Sequence, residues 1–210
     1  MVRQYRISSL VGERMFAFAT YICNHHFHLT SPFHYRAAKM SVNDQPELYV
    51  FNAFFMSMRS KFVGKENEIR CFVVEWDPSK LSWSSFRHDV LGPTDPAKAP
   101  PNSIRKSILN QYQELGLTSA PNNSDNGVHA SASPFEALAE KLNWLSFDLE
   151  SDTFGKALVD AGISRSRIKE WSLDPQVKLS ESSTGSLFDE LEDLNVDECI
   201  QRLSELNTLN

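Results

Sequence analysis

Ser133-Pro134-Phe135-Glu136 constrains this chain more than any other stretch, because those four residues in that order start a helix. A serine hydroxyl can accept a first-turn N–H, and proline's fixed φ and missing N–H suit the first helical position. A glutamate three residues after the cap can reach back to complete a capping box. Phe135, Leu138, Ala139, Leu142 and Leu145 then recur at helical spacing and predict one buried stripe, with Glu136, Glu140 and Asn143 towards another face. The polar, turn-rich residues 118–127 predict a surface loop that runs straight into Val128-His129-Ala130-Ser131. A histidine set between such a loop and a firmly capped helix is held by both.

Working outward, a helix is predicted from about Asn102 or Ser103, with Ile104, Ile108, Leu109, Tyr112 and Leu115 on one face and Gly116 as its stop. Residues 69–76, with Cys71, Val73 and Val74, make the best strand in the chain, ended by Asp77-Pro78. Asn43-Asp44-Gln45-Pro46 is a helix-start signal, and Leu48, Tyr49, Phe51, Phe54, Phe55 and Met58 would supply that helix's apolar face. Residues 10–23 suggest an apolar helix, and residues 1–9 suggest no element. Beyond residue 145 two short helices are expected over 154–162 and 166–171, then a polar, serine-rich linker over 174–185. An acidic amphipathic helix interrupted near Asn195 closes the chain, and no internal repeat is visible. The expected domains are therefore 1–145 and an acidic helical extension, 146–210.

At 210 residues the chain can bury a substantial core. A net charge of −6 argues against a nucleic-acid partner, which calls for a basic stripe. No apolar run is long enough to span a bilayer. The segment behind Arg3, Arg6 and Arg14 resembles a leader only until Thr20 and the polar Asn24-His25-His26 interrupt it. Cys23, Cys71 and Cys199 are far apart and odd in number, which suits reduced thiols in the cytoplasm. Cys23, His25, His26, His28 and His34 lack the paired spacing of a zinc site, so no protein-held metal is expected.

The chemistry-bearing residues lie within 91–144. Gly92-Pro93-Thr94-Asp95-Pro96, Ser103-Ile104-Arg105 and residues 126–133 interleave hydroxyl, amide, basic and imidazole groups with turn residues. Phosphoryl transfer asks a protein mainly for positioning and charge neutralisation. A histidine nucleophile needs one neutral ring nitrogen free and the other held by an acceptor, for which Glu140 is the candidate. Arg105 would grip phosphate oxygens bidentately, Thr94 and Asn126 would add neutral hydrogen bonds, and Ser131 could bond a transferring or leaving oxygen. The bland alternative is a structural His129, a solvated Arg105 and a Glu140 in water.

The stretch resembles the nucleoside diphosphate kinase family, whose hallmark is N-x-x-H-G-S-D-S following G-x-T-x-P and T-I-R. The matching residues are Asn126-Gly127-Val128-His129-Ala130-Ser131-Ala132-Ser133, Gly92-Pro93-Thr94-Asp95-Pro96 and Ser103-Ile104-Arg105, and Glu140 and Trp144 keep step in the helix that follows. Looser likeness takes in Phe54-Phe55, residues 69–76 and Leu10-Val11-Gly12-Glu13, so that residues 10–145 are covered. The resemblance implies an α+β, ferredoxin-like antiparallel sheet covered by helices, and a homo-oligomer. It implies that His129 carries a phosphohistidine in a ping-pong exchange between nucleoside tri- and diphosphates, assisted by Glu140 and Ser131. Thr94, Arg105, Asn126 and Arg87 would bind the nucleotide, Phe55 would lie by the base, and Mg2+ would accompany the phosphates.

Four departures accompany the likeness. No K-P-D lysine precedes residue 10, which suggests a missing first strand or a start within it. Ala130 and Ala132 replace the glycine and aspartate beside the nucleophile. Arg87 is offset by one residue from the family's arginine, where His88 stands, and the segment from Arg105 to His129 is longer than usual. A second reading is therefore a noncatalytic module of the same fold that binds a protein partner through residues 186–206.

Overall fold

The computed structural model describes residues 2–7, 37–40, 48–51 and 69–210. The chain divides into two compact units, Val2–Val74 and Glu75–Asn210. In the first, β1 (Val2–Ile7) pairs antiparallel with β4 (Ile69–Val74), placing Val2 opposite Val74 and Ile7 opposite Ile69. A second antiparallel pair joins β2 (Ala37–Met40) to β3 (Leu48–Phe51). The strand expected over 69–76 is thus present, ending at Val74. Two expectations are corrected. Residues 1–9, read as featureless, contain β1, and Leu48, Tyr49 and Phe51, read as a helical face, lie in β3. The sequence Leu-Tyr-Val-Phe is rich in side chains that suit a pleated surface, and that preference overrides the helix-start signal before it. The expected helix over 10–23, the histidine cluster, Phe54, Phe55 and Met58 lie outside the described residues.

The second unit begins with α1 (Trp83–Ser85), capped by Ser82, which runs into a π-helical turn, Phe86–Leu91. Its wide turn closes on Gly92, whose N–H donates to the Arg87 carbonyl at 3.1 Å. A short 3-10 turn, Pro96–Lys98, leads to α2 (Ile104–Gln111). Ser103, fully buried, caps α2 by accepting from the Lys106 N–H and donates to the Pro100 carbonyl at 2.8 Å. The helix ends at Gln111, short of Gly116; that glycine sits at φ 76° in the turns that follow.

Helix α3 (Pro134–Trp144) starts where the sequence places it: the Ser133 hydroxyl accepts from the Glu136 N–H at 3.1 Å. Then come α4 (Thr153–Asp160) and α5 (Arg165–Trp171). The expected serine-rich linker is instead a β-hairpin, β5 (Gln176–Lys178) with β6 (Thr184–Ser186), in which only Val177 of β5 turns inward. Finally α6 (Leu187–Leu191) and α7 (Val196–Leu209) flank Asn195, which caps α7 in a capping box with Glu198. The interruption read at Asn195 is therefore a helix start.

One core joins these elements. Phe135 and Leu138 of α3 cluster with Leu158, Ile163, Ile168, Trp171, Leu187, Leu191, Leu203 and Leu206, all essentially inaccessible. Burying each such side chain contributes about 1.5–3 kcal/mol. The expected boundary at residue 145 runs through this core, so α3 and the C-terminal helices fold as one body. Among the described residues the chain is a mixture of helices and antiparallel strand pairs. No helix there is long and apolar enough to cross a membrane.

Candidate active site

The His129 loop is pinned from three sides before its chemistry begins. Gly127 turns with φ 82°, and a Cβ there would lie 3.3 Å from Ile108 Cδ1, so the loop packs onto α2. Arg105 of α2 donates from one terminal nitrogen to the Gly92 carbonyl at 2.7 Å and from the other to the Val128 carbonyl at 3.0 Å. Asn126 Nδ2 donates to the Thr94 carbonyl at 3.2 Å, joining the Gly92–Pro96 segment to the same loop. From α1, Trp83 Nε1 donates to the Ser131 carbonyl at 3.0 Å, and its ring lies 5.1 Å from Trp76.

On this frame His129 Nε2 lies 2.7 Å from Glu140 Oε1, and the other oxygen of Glu140 accepts from the Ser131 hydroxyl. Glu140 therefore orients two side chains at once. With Nε2 as the N–H, the tautomer leaves Nδ1 with its lone pair, and Nδ1 has no hydrogen bond among the described residues. The His129 side chain is 67% exposed, whereas that of Glu140 is 22% exposed, so an exposed ring is anchored by a half-buried carboxylate. Desolvation of the ring opposes its charge, but the hydrogen bond and charge of Glu140, with Glu136 beyond, outweigh it against Arg105. The imidazole pKa is raised.

Glu136 is the site residue the sequence reading gave another role. It was expected to return to the cap residue; instead its carboxylate accepts from the Ala132 N–H, one residue further back. Partial burial, followed by the Glu140 charge, pushes its pKa up to about 7, although the Ala132 N–H, His129 and Arg87 act the other way. The signal was present: residues four apart share a helical face, and Glu136 and Glu140 are four apart. His129, Glu136 and Glu140 each place one ligand-capable atom within 4.8 Å of the others. These three could hold a divalent cation, at the cost of the hydrogen bond that now joins His129 to Glu140.

The two arginines differ sharply. Arg105 is half-buried with carbonyl partners only; among the described residues no carboxylate pairs with it, and its buried Nε has no partner. Desolvation, then the nearby Arg87 charge, lowers its pKa. Arg87 is instead paired with two carboxylates: one terminal nitrogen lies 2.6 Å from Asp193 Oδ1 and the other 2.8 Å from Glu192 Oε1. Nothing in the sequence signalled those partners, more than 100 residues away. Thr94 is exposed and contributes its carbonyl to Asn126. Phe55 lies outside the described residues. The structure thus brings His129, Glu140 and Ser131 together, with Arg105, Asn126 and Thr94 bonded around their loop and Arg87 turned to the C-terminal segment. Compared with protein-family models, with curated proteins and with solved structures, the chain gives no match.

Proposed function

We propose that the chain is a divergent phosphotransferase of the nucleoside diphosphate kinase type, with His129 as the phosphoryl acceptor. The supporting observation is the shared carboxylate: Glu140 holds Nε2 of His129 through one oxygen and the Ser131 hydroxyl through the other. The Nδ1 lone pair of His129 would attack the terminal phosphorus of a magnesium-bound nucleoside triphosphate. The bond from that phosphorus to the bridging oxygen breaks, and the nucleoside diphosphate leaves with the electron pair. A second nucleoside diphosphate then takes the phosphoryl group from His129, restoring the ring. Glu140 stabilises the positive charge that the ring acquires, and Arg105, a cation without a carboxylate partner, faces the increase in negative charge.

The same reading carries a ferredoxin-like sheet and self-association from the family likeness, and a cytoplasmic setting from the three well-separated cysteines. Steady-state exchange between ATP and a second nucleoside diphosphate tests it: parallel double-reciprocal lines mark a ping-pong exchange. His129→Ala should lower kcat by at least about 1,000-fold; unchanged exchange in that variant refutes the reading.

The pairing of Arg87 with Glu192 and Asp193 favours a second reading, a noncatalytic module that binds a protein partner through residues 186–206. The apolar side of that segment is buried in the core, so such a partner would meet its exposed acidic side, including Asp197. Loss of partner binding in Asp197→Lys, with nucleotide exchange intact, would separate the two roles.

A further inference from the structure

The C-terminal segment enters the site through one turn, Glu192-Asp193, and its two carboxylates are held differently. Asp193 is built in: its N–H donates to the Ala132 carbonyl at 2.9 Å, three residues beyond His129, and its backbone adopts the left-handed conformation at φ 64°. Asn195, two residues on, accepts the Trp83 N–H at 2.9 Å. The Glu192 N–H instead bonds within its own helix end, to the Asp189 carbonyl at 3.4 Å. The Glu192 carboxylate is 50% exposed and meets Arg87 from the solvent side, while the Arg87 side chain is only 20% exposed. Arg87 in turn acts electrostatically on Glu136 and Arg105, so it belongs to the same charge cluster as the His129 site.

A guanidinium presents its terminal N–H groups as a fork that suits carboxylate and phosphate oxygens alike. With one carboxylate on each terminal nitrogen, the Arg87 charge is already matched twice, and an incoming phosphate competes with both carboxylates for it. Glu192, the more exposed of the two carboxylates at 50% against 31%, is the one that can leave. We infer that Glu192 is an internal stand-in for phosphate: it closes Arg87 against anionic ligands, and a polyphosphate opens the site by displacing Glu192 while Asp193 stays. The inference rests on the reading of Arg87 as a phosphate-binding group. It gives residues 146–210 a regulatory part, since anything that draws the Glu192 turn away raises affinity for the ligand.

The test is binding of inorganic tripolyphosphate to the full chain, by calorimetry in magnesium-free buffer at low ionic strength, where no phosphoryl transfer is needed. Glu192→Gln keeps size and hydrogen bonding but removes the competing charge, and its fold is checked by circular dichroism. An exposed ion pair of ordinary strength predicts binding about two- to fivefold tighter than in the unaltered chain. Arg87→Gln should weaken binding, and the double variant should show no gain over Arg87→Gln alone. Equal or weaker binding by Glu192→Gln overturns the inference, as does an equal gain from Glu181→Gln, a control for net charge at an exposed carboxylate between β5 and β6. Tighter binding by Glu192→Gln without any phosphoenzyme would leave the latch standing and remove the phosphotransferase reading. A phosphoenzyme with unchanged Glu192→Gln binding would do the reverse.

Discussion

At the scale of single residues, Glu140 sets the pH at which His129 can act. Its negative charge favours the imidazolium, so the fraction of neutral, nucleophilic ring rises as pH climbs through the raised histidine pKa. The rate of His129 phosphorylation should therefore increase as pH rises through that raised pKa, above the range of an ordinary histidine. In Glu140→Gln the midpoint should move to lower pH while the plateau rate falls, which stopped-flow quench at several pH values can measure. Glu136 has the opposite bearing on stability. Its folded pKa, about 7, lies above the 4.5 of an ordinary glutamate, so the fold binds this proton more tightly than the unfolded chain. The stability this contributes is present below pH 4.5 and is lost as pH rises to about 7. Denaturant titrations should show Glu136→Gln gaining on the unaltered chain by on the order of 1–3 kcal/mol between pH 5 and pH 8. A pH-independent difference would contradict the assigned carboxylate pair. The likeness of residues 126–133 to the N-x-x-H-G-S-D-S pattern, with Glu140 in step, made His129, Ser131 and Glu140 legible. Arg87's pairing with Glu192 and Asp193 was not legible, because it depends on how distant elements pack rather than on any local pattern.

At the scale of elements, the caps fix where the site sits. Ser133 is fully buried and accepts the Glu136 N–H, so it locates both the start of α3 and the base of the His129 loop. Ser133→Ala should cost about 1–2 kcal/mol of unfolding free energy. Gly92 is held more stringently: φ is 98°, and a Cβ there would lie 2.8 Å from Ser103 Oγ and 3.0 Å from Ala99 Cβ. Gly92→Ala should cost more than about 2 kcal/mol and loosen Arg105, which bonds the Gly92 carbonyl. A loss below about 0.5 kcal/mol in either variant would show that the cap or turn is not what holds the loop. Helices α2 and α3 were readable because their caps are local, Ser103 and Ser133 accepting N–H groups three residues on, whereas the cap at Asn195 reads in the sequence as an interruption and α1 gives no comparable signal. The strands were less so. β1 carries Arg3, Gln4 and Arg6 among its apolar residues and is defined by its pairing with β4, while β5 and β6 are three residues each within a serine-rich stretch.

At the scale of the whole molecule, residues 146–210 complete the core that supports the site. Leu203 is inaccessible in the cluster that includes Phe135 and Leu138, so Leu203→Ala should cost about 2–5 kcal/mol. Because the Asp193 N–H bonds the Ala132 carbonyl, that loss should also weaken ligand binding at the His129 loop, a coupling that a detached appendage would not show. The acidic amphipathic pattern of this segment was visible in the sequence; its partner was not, since an amphipathic helix fits its own core or another protein equally well. The account's central claim is that His129 accepts a phosphoryl group. Its most direct measurement is incubation of the folded, magnesium-supplied chain with terminally labelled ATP. The prediction is an acid-labile, base-stable label that is absent from His129→Ala; no label on the unaltered chain, or an undiminished label on the variant, would contradict it.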